Sequence, residues 1–219
     1  MRIRSDVILF VALLGGSVWA VASQVGHDPI AAAKAQASEL VPFGGIVPDL
    51  TLKDWEGKPR TLASLKGKVG TVLYFFSVDC PCVDAVQMRL HEVLLKYQKQ
   101  GIEFTAIDGS PEDTPQQAFD KAADVHMVFM RILVDPDQRL VRKVGVLGAT
   151  DCVVLDAEGR LVYRGTLDDD LAKPKVPYLA PVLEALVTGK EPPMREPPEG
   201  KKRSYGCPYP GNEGVCATK

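Results

Sequence analysis

Residues 71–77, TVLYFFS, form an unbroken run of apolar, aromatic and β-branched side chains of strand length. The run lacks the in-and-out alternation of a half-solvated strand. It is therefore expected at the centre of a sheet that is covered on both faces. The next segment can supply part of that cover. In VDAVQMRLHEVLLKYQKQG, Val86, Leu90, Val93, Leu94 and Tyr97 fall at helical spacing, and Gly101 stands where a helix C-cap glycine belongs.

The pattern continues along the chain. IEFTAID (102–108) reads as the next strand, and SPEDTPQQAFDKAADV as a capped helix with Pro115 near its start. RILVD is a short strand, QRLVRKVGV a short helix, and CVVLDAEGRLVYRG a hairpin turning at Glu158-Gly159. YLAPVLEALVTGK closes the series as a helix, and two short strand-like runs flank a turn at Glu56-Gly57 ahead of it all. The order implies an α/β fold with a central mixed sheet and helices on both faces. Residues 191–219 are rich in proline, glycine and charge, and are expected to form an irregular tail outside the regular core.

The N-terminus has a separate logic. Two arginines in MRIRSD precede a 16-residue apolar run, VILFVALLGGSVWAVA, and small residues at Ala20 to Ala22 offer a cleavage site. Residues 1–22 therefore read as a secretory signal, with membrane anchoring by residues 7–22 as the alternative. Either way the folded part is expected to be exported, facing the periplasm or the exterior. Residues 23–42 are Ala-rich and polar, a spacer before a domain over 43–190. A net charge of −2 offers no electrostatic footprint for nucleic acid, and KKR at 201–203 and DDD at 168–170 read as solvated loops.

Export governs how the five cysteines are read. In an oxidising compartment cysteines form disulfides or do redox chemistry, and an odd number leaves at least one over. Cys80 falls where the buried strand ends and the helix begins, and Pro81 suits the first helical turn. Unpaired backbone N–H groups and the helix dipole there favour a thiolate. Ser77 is placed to hydrogen-bond the sulfur, whereas the Asp79 carboxylate opposes ionisation. Cys82 is two positions on, so a bond to Cys80 needs Cys80 outside the helix, and its strain would make it a labile, oxidising disulfide. The thiol that resolves Cys80 is sought in Cys82, in a tail cysteine such as Cys207, or on another protein. Cys152 opens the strand CVVLD and reads as a buried core cysteine. Cys207 and Cys216 close a short Pro/Gly loop, for which a structural disulfide is the simplest reading.

A competing use of Cys80 and Cys82 is Cu(I) or Zn binding by two soft thiolates. None of His27, His91 and His126 has ligand spacing to them, so no metal or other cofactor is expected. The chain also lacks a Gly-rich phosphate loop, His-Glu-x-x-His and Gly-x-Ser-x-Gly.

Taken in order, VPDLTL, TLASLKGK, VLYFFSVDCP, IEFTAID, LVDPD, VLDAEGRLVYRG and YLAPVLEALVTGK resemble the thioredoxin-like superfamily over about residues 44–190. Within it the chain is similar to the redoxin branch of alkyl-hydroperoxide-reductase, thiol-specific-antioxidant and peroxiredoxin proteins. The resemblance implies a thioredoxin-like fold with Cys80 as nucleophile and Ser77 as the hydroxyl three residues before it. It also implies a substrate loop in which Thr150 stands where the superfamily has a cis-proline. Leu73 replaces the peroxiredoxin proline, and GATDCVVLD has no arginine to activate a peroxide. The expected function is an exported thiol–disulfide oxidoreductase or peroxiredoxin-like antioxidant. It would act on a protein disulfide or a peroxide, be resolved by Cys82 or Cys207, and be reduced by an external thiol. The alternatives are a non-catalytic binding module, holding Cu(I) through Cys80 and Cys82, and a structural role at the membrane face.

Overall fold

A computed structural model describes residues 40–212 of the chain. The expected signal or anchor segment, most of the expected spacer and Cys216 lie outside the described residues. Among the described residues no helix is long and apolar enough to cross a membrane.

The element order is β1 (Thr51–Asp54), β2 (Pro59–Thr61), β3 (Gly70–Phe76), α1 (Pro81–Tyr97), β4 (Ile102–Asp108), α2 (Pro115–Asp124), β5 (Arg131–Val134), α3 (Arg139–Val144), β6 (Cys152–Asp156), β7 (Leu161–Gly165) and α4 (Leu179–Val187). The strands form one seven-stranded sheet in the order β2-β1-β5-β4-β3-β6-β7. β3, β4 and β5 run parallel, and the flanking strands are antiparallel to their neighbours. This is the α/β architecture with a mixed sheet that the element order implies, and the thioredoxin-like fold that the resemblance implies.

All seven residues of β3 are buried. Successive strand side chains point to opposite faces, so Val72, Tyr74 and Phe76 enter the core beneath α1, α2 and α4. Leu73 and Phe75 enter the second core, beneath α3 and the 3₁₀ turn at Leu62–Leu65. α1 meets the sheet through Val83, Val86, Leu90, Leu94 and Tyr97, with Val93 half-buried beside them. A 3₁₀ turn extends this helix to Gln100, and Gly101 ends it at φ +91°, a conformation that costs glycine little. α2 opens on a capping box: the Thr114 hydroxyl accepts the Gln117 amide N–H while the Gln117 side chain accepts the Thr114 N–H.

Four expectations need correction. Residues 191–212 have no helix or strand, yet they are not apart from the domain. Arg164 pairs with Glu196 at 2.8 Å, Pro197 lies against Gly165, and Tyr209 is buried in the second core. The spacer ends before residue 42, because Val41 is already buried and donates its N–H to Lys143 C=O at 2.8 Å. DDD is not a wholly solvated loop. Asp168 is buried and paired with Arg89 at 2.8 Å, because the return from β7 into α4 turns it beneath that guanidinium. Likewise Arg203, from the KKR run, is half-buried and pairs with Glu196 at 3.1 Å.

Candidate active site

The site lies at the C-terminal ends of β3 and β4. Cys80 is the N-cap of α1 in extended conformation, with Pro81 at the first helical position, so the strand-to-helix turn carries its sulfur beyond the sheet edge. Its N–H donates to Ser77 C=O at 3.3 Å and its C=O accepts the Val83 N–H at 3.1 Å, which closes the turn. The sulfur is fully buried and caps none of the helix's own amides. Its donor comes instead from the far end of the chain: the Cys207 N–H, at 3.1 Å. That amide and the N-terminal end of α1 are the polar groups that face the sulfur.

Cys82 is also buried, and its thiol donates to Tyr205 C=O at 3.4 Å. Both sulfurs of the Cys-Pro-Cys motif therefore face residues 205–207. Among the described residues the Ser77 hydroxyl is not a partner of the Cys80 sulfur; Ser77 contributes its carbonyl to the turn. Asp79 is exposed. Cys152 is fully buried on β6, and burial, reinforced by Asp151 and Asp168, pushes its thiol well above the usual range. It is held neutral, as a core cysteine should be.

Thr150 leads into β6 with its N–H donating to Phe75 C=O at 2.7 Å. It is buried in the left-handed region at φ +72°, which is costly for a β-branched residue, and its hydroxyl has no hydrogen-bond partner among the described residues. The loop before it is pinned by Asp151, whose Oδ2 accepts the N–H groups of Leu147 at 3.0 Å and Gly148 at 3.4 Å. Burial raises the Asp151 carboxyl to about 7, against the lowering effect of these amides, the Ser204 side chain and Arg203.

Residues 205–209 run along this loop. Ala149 N–H donates to Cys207 C=O at 2.9 Å, and Tyr209 N–H donates to Leu147 C=O at 3.0 Å. The Tyr209 hydroxyl donates to Phe76 C=O at 2.6 Å, at the very end of β3. Behind the site, Val78 N–H donates to Asp113 Oδ2 at 2.9 Å, and Asp113 stands against the buried Asp108. Burial raises the Asp108 carboxyl to about 8, with Asp113 adding to the rise and the Ser110 N–H opposing it.

Sequence reasoning pointed to Cys80, Cys82, Ser77, Thr150 and Cys207. The structure gathers Cys80, Cys82 and Cys207 at one point, and Thr150 adjoins the loop that Cys207 pairs with. Ser77 stays near through its backbone only, and Cys216 is outside the described residues. Tyr209, Asp151, Asp108 and Asp113 had not been singled out. Tyr205 and Gly206 carry a signal in the YGCP of the tail, part of an aromatic and glycine cluster, SYGCPYP. Among the described residues no group of three or more His, Cys, Asp or Glu converges as a metal site. His91 packs edge-on against Phe129, with ring centroids 4.3 Å apart.

Comparison with known proteins gives the family. Residues 43–164 match the AhpC/TSA family. The chain is 30% identical over 156 residues to the thiol:disulfide interchange protein HelX of Rhodobacter capsulatus, covering 69% of this chain and 78% of that one. It is 30% identical over 131 residues to chloroplastic peroxiredoxin Q of Sedum lineare, covering 55% and 68%. Among solved structures, a conserved protein of Geobacillus kaustophilus superposes with a TM-score of 0.66 at 26% identity, covering 82% of this chain and 94% of that one.

Proposed function

The chain belongs to the AhpC/TSA family, and from that premise we propose that it is an exported thiol–disulfide oxidoreductase with Cys80 as nucleophile and Cys207 as resolving cysteine. One observation carries the reading. The backbone amide of a second cysteine lies 3.1 Å from the Cys80 sulfur, so the fold brings another cysteine of the same chain against the nucleophile. Export rests on the arginine-flanked apolar run at the N-terminus.

Electrons and protons balance across two exchanges. The Cys80 thiolate attacks one sulfur of a substrate disulfide, and the substrate's other sulfur leaves as a thiolate and takes up a proton. The Cys207 thiolate then attacks the Cys80 sulfur and expels the substrate's second thiolate. The products are a reduced substrate and a Cys80–Cys207 disulfide. An external thiol reductant returns two electrons and two protons. Exchange is favoured over peroxide chemistry because GATDCVVLD carries no arginine of the kind that activates a peroxide, while the loop before β6 already pairs its backbone with a polypeptide segment, residues 207–209. Cys82 serves as a neighbour that fixes the Tyr205 carbonyl, and it is not needed for electron flow.

The test is turnover of a disulfide-bonded peptide by reduced protein, followed by mass mapping of each cysteine. Cys80→Ser should lose turnover, Cys207→Ser should accumulate the substrate mixed disulfide on Cys80, and Cys82→Ser should retain turnover. Full activity in Cys80→Ser would overturn the proposal.

A further inference from the structure

The tail meets the site in the manner of a bound polypeptide. Residues 207–209 pair antiparallel with Leu147–Ala149 through the two backbone hydrogen bonds that link Cys207 to Ala149 and Tyr209 to Leu147, and a bridge between Gly148 and Pro208. This is a short antiparallel pairing of one extended segment with the loop before β6, in which main-chain bonds supply affinity and side-chain seats supply selectivity. The seats are specific. A Cβ on Gly206 would fall 1.8 Å from Ala149 O, so only glycine fits immediately before the cysteine. The Tyr209 ring occupies a second seat, open because residue 109 is glycine: a Cβ there would lie 2.7 Å from the ring. Between these seats the Cys207 N–H reaches the Cys80 sulfur, and the Tyr205 carbonyl covers Cys82. Leu147 C=O, Ala149 N–H and the Cys80 sulfur are thus all taken by the chain itself, and Cys80 is left with 0% exposure.

We propose that residues 204–209 are a displaceable strap that occupies the polypeptide-binding edge of the enzyme as an internal competitor. This rests on the reading of Cys80 as nucleophile. The partner is an extended polypeptide that presents a cysteine directly after glycine and forms the same two main-chain bonds to Leu147 and Ala149. It gains the sulfur only when the strap has lifted. After the first exchange the strap returns and brings Cys207 back to the Cys80 sulfur, which times resolution to come after substrate engagement.

Strap opening is read in the full reduced chain by the rate at which iodoacetamide alkylates Cys80, a displacement of iodide by the thiolate that needs no turnover. Gly206→Ala cannot seat the strap and should raise that rate on the order of tenfold or more, the effect of an overpacked contact on a local opening equilibrium. Tyr209→Phe removes one hydroxyl contact and should raise it several-fold, which keeps the test available should Gly206→Ala not fold. Rates equal to the parent would overturn the strap. A second arm uses a synthetic RSYGCPYP peptide carrying a thionitrobenzoate disulfide. Cys80 attacks the peptide sulfur and releases the coloured thiolate, and this should be faster with Gly206→Ala protein and slowed when alanine replaces the peptide's glycine. Release insensitive to that glycine would overturn the partner class. A parent that alkylates at the strap-limited rate but never reduces a disulfide would count against the function alone.

Discussion

Replacing Asp108 by asparagine should change how stability depends on pH more than any other single substitution at the end of the sheet. Asp108 ends β4 with 1% exposure; its Oδ1 accepts the Ser110 N–H at 2.9 Å, and its Oδ2 has no hydrogen-bond partner among the described residues. Burial first, and then Asp113, lift its carboxyl from 3.8 to about 8. Between those two values the folded chain holds a proton that the unfolded chain has released. Folding stability therefore falls as pH rises through this window, and the contribution is fully present only below the unfolded value. About four pH units at about 1.4 kcal/mol each put the full effect on the order of 5 kcal/mol. Asparagine mimics the protonated acid: its oxygen can accept from Ser110 and its amide can donate towards Asp113. Urea unfolding followed by tryptophan fluorescence, in unit steps from about pH 5 to about pH 9, should show the variant gaining on the parent as pH rises. The residual slope would include Asp151, whose carboxyl burial raises to about 7. Parallel curves, or a variant that loses stability equally at every pH, would refute the reasoning. The same ionisation touches the site, because Asp113 holds the Val78 amide two residues before Cys80.

Two other buried groups give measurable outcomes. Arg89→Ala leaves the Asp168 carboxylate, with 7% side-chain exposure, without its 2.8 Å partner. It should cost about 3 kcal/mol in chemical denaturation, and adding Asp168→Asn should recover part of the loss. Thr150→Gly relieves a β-branched residue at φ +72° and removes an unpartnered buried hydroxyl. It should stabilise by about 1 kcal/mol net of glycine's backbone entropy, and a lowered melting temperature would contradict the strain assigned to that residue.

The regular part of this fold was legible because its signals are local. The strand of Leu73 and Phe75 announces burial on both faces, Pro81 announces a helix start, and Glu158-Gly159 announces a hairpin. Cys80 was legible for the same reason, since the strand–Cys–Pro–helix order lies within a dozen residues. The cover over that cysteine was not. Tyr209 reaches Phe76 across 133 residues, and a tail without periodicity carries no sign of what it will lie against. Buried carboxylates are equally silent: Asp168 reads as one of three solvated acids until the return from β7 places Arg89 above it. Asp108 ends a strand as many exposed aspartates do, and only the packing of Tyr209 and the loop to α2 removes it from water.

The Cys80–Cys207 contact also spans 127 residues of chain. On the proposed reading a disulfide would close that span, and cross-linking so long a loop restricts the unfolded ensemble by on the order of 5 kcal/mol. Thermodynamic closure makes the relation two-way: whatever the bond contributes to folding, folding contributes to the bond. The oxidised and reduced proteins should then differ in unfolding stability by the same free energy that separates the folded chain's reduction potential from that of its unfolded form. Anything that loosens the tail would weaken the bond against reduction and the fold against unfolding together. The enzyme's oxidising strength and its fragility are in that sense one adjustable quantity, written in the few residues that hold its last described cysteine against its first.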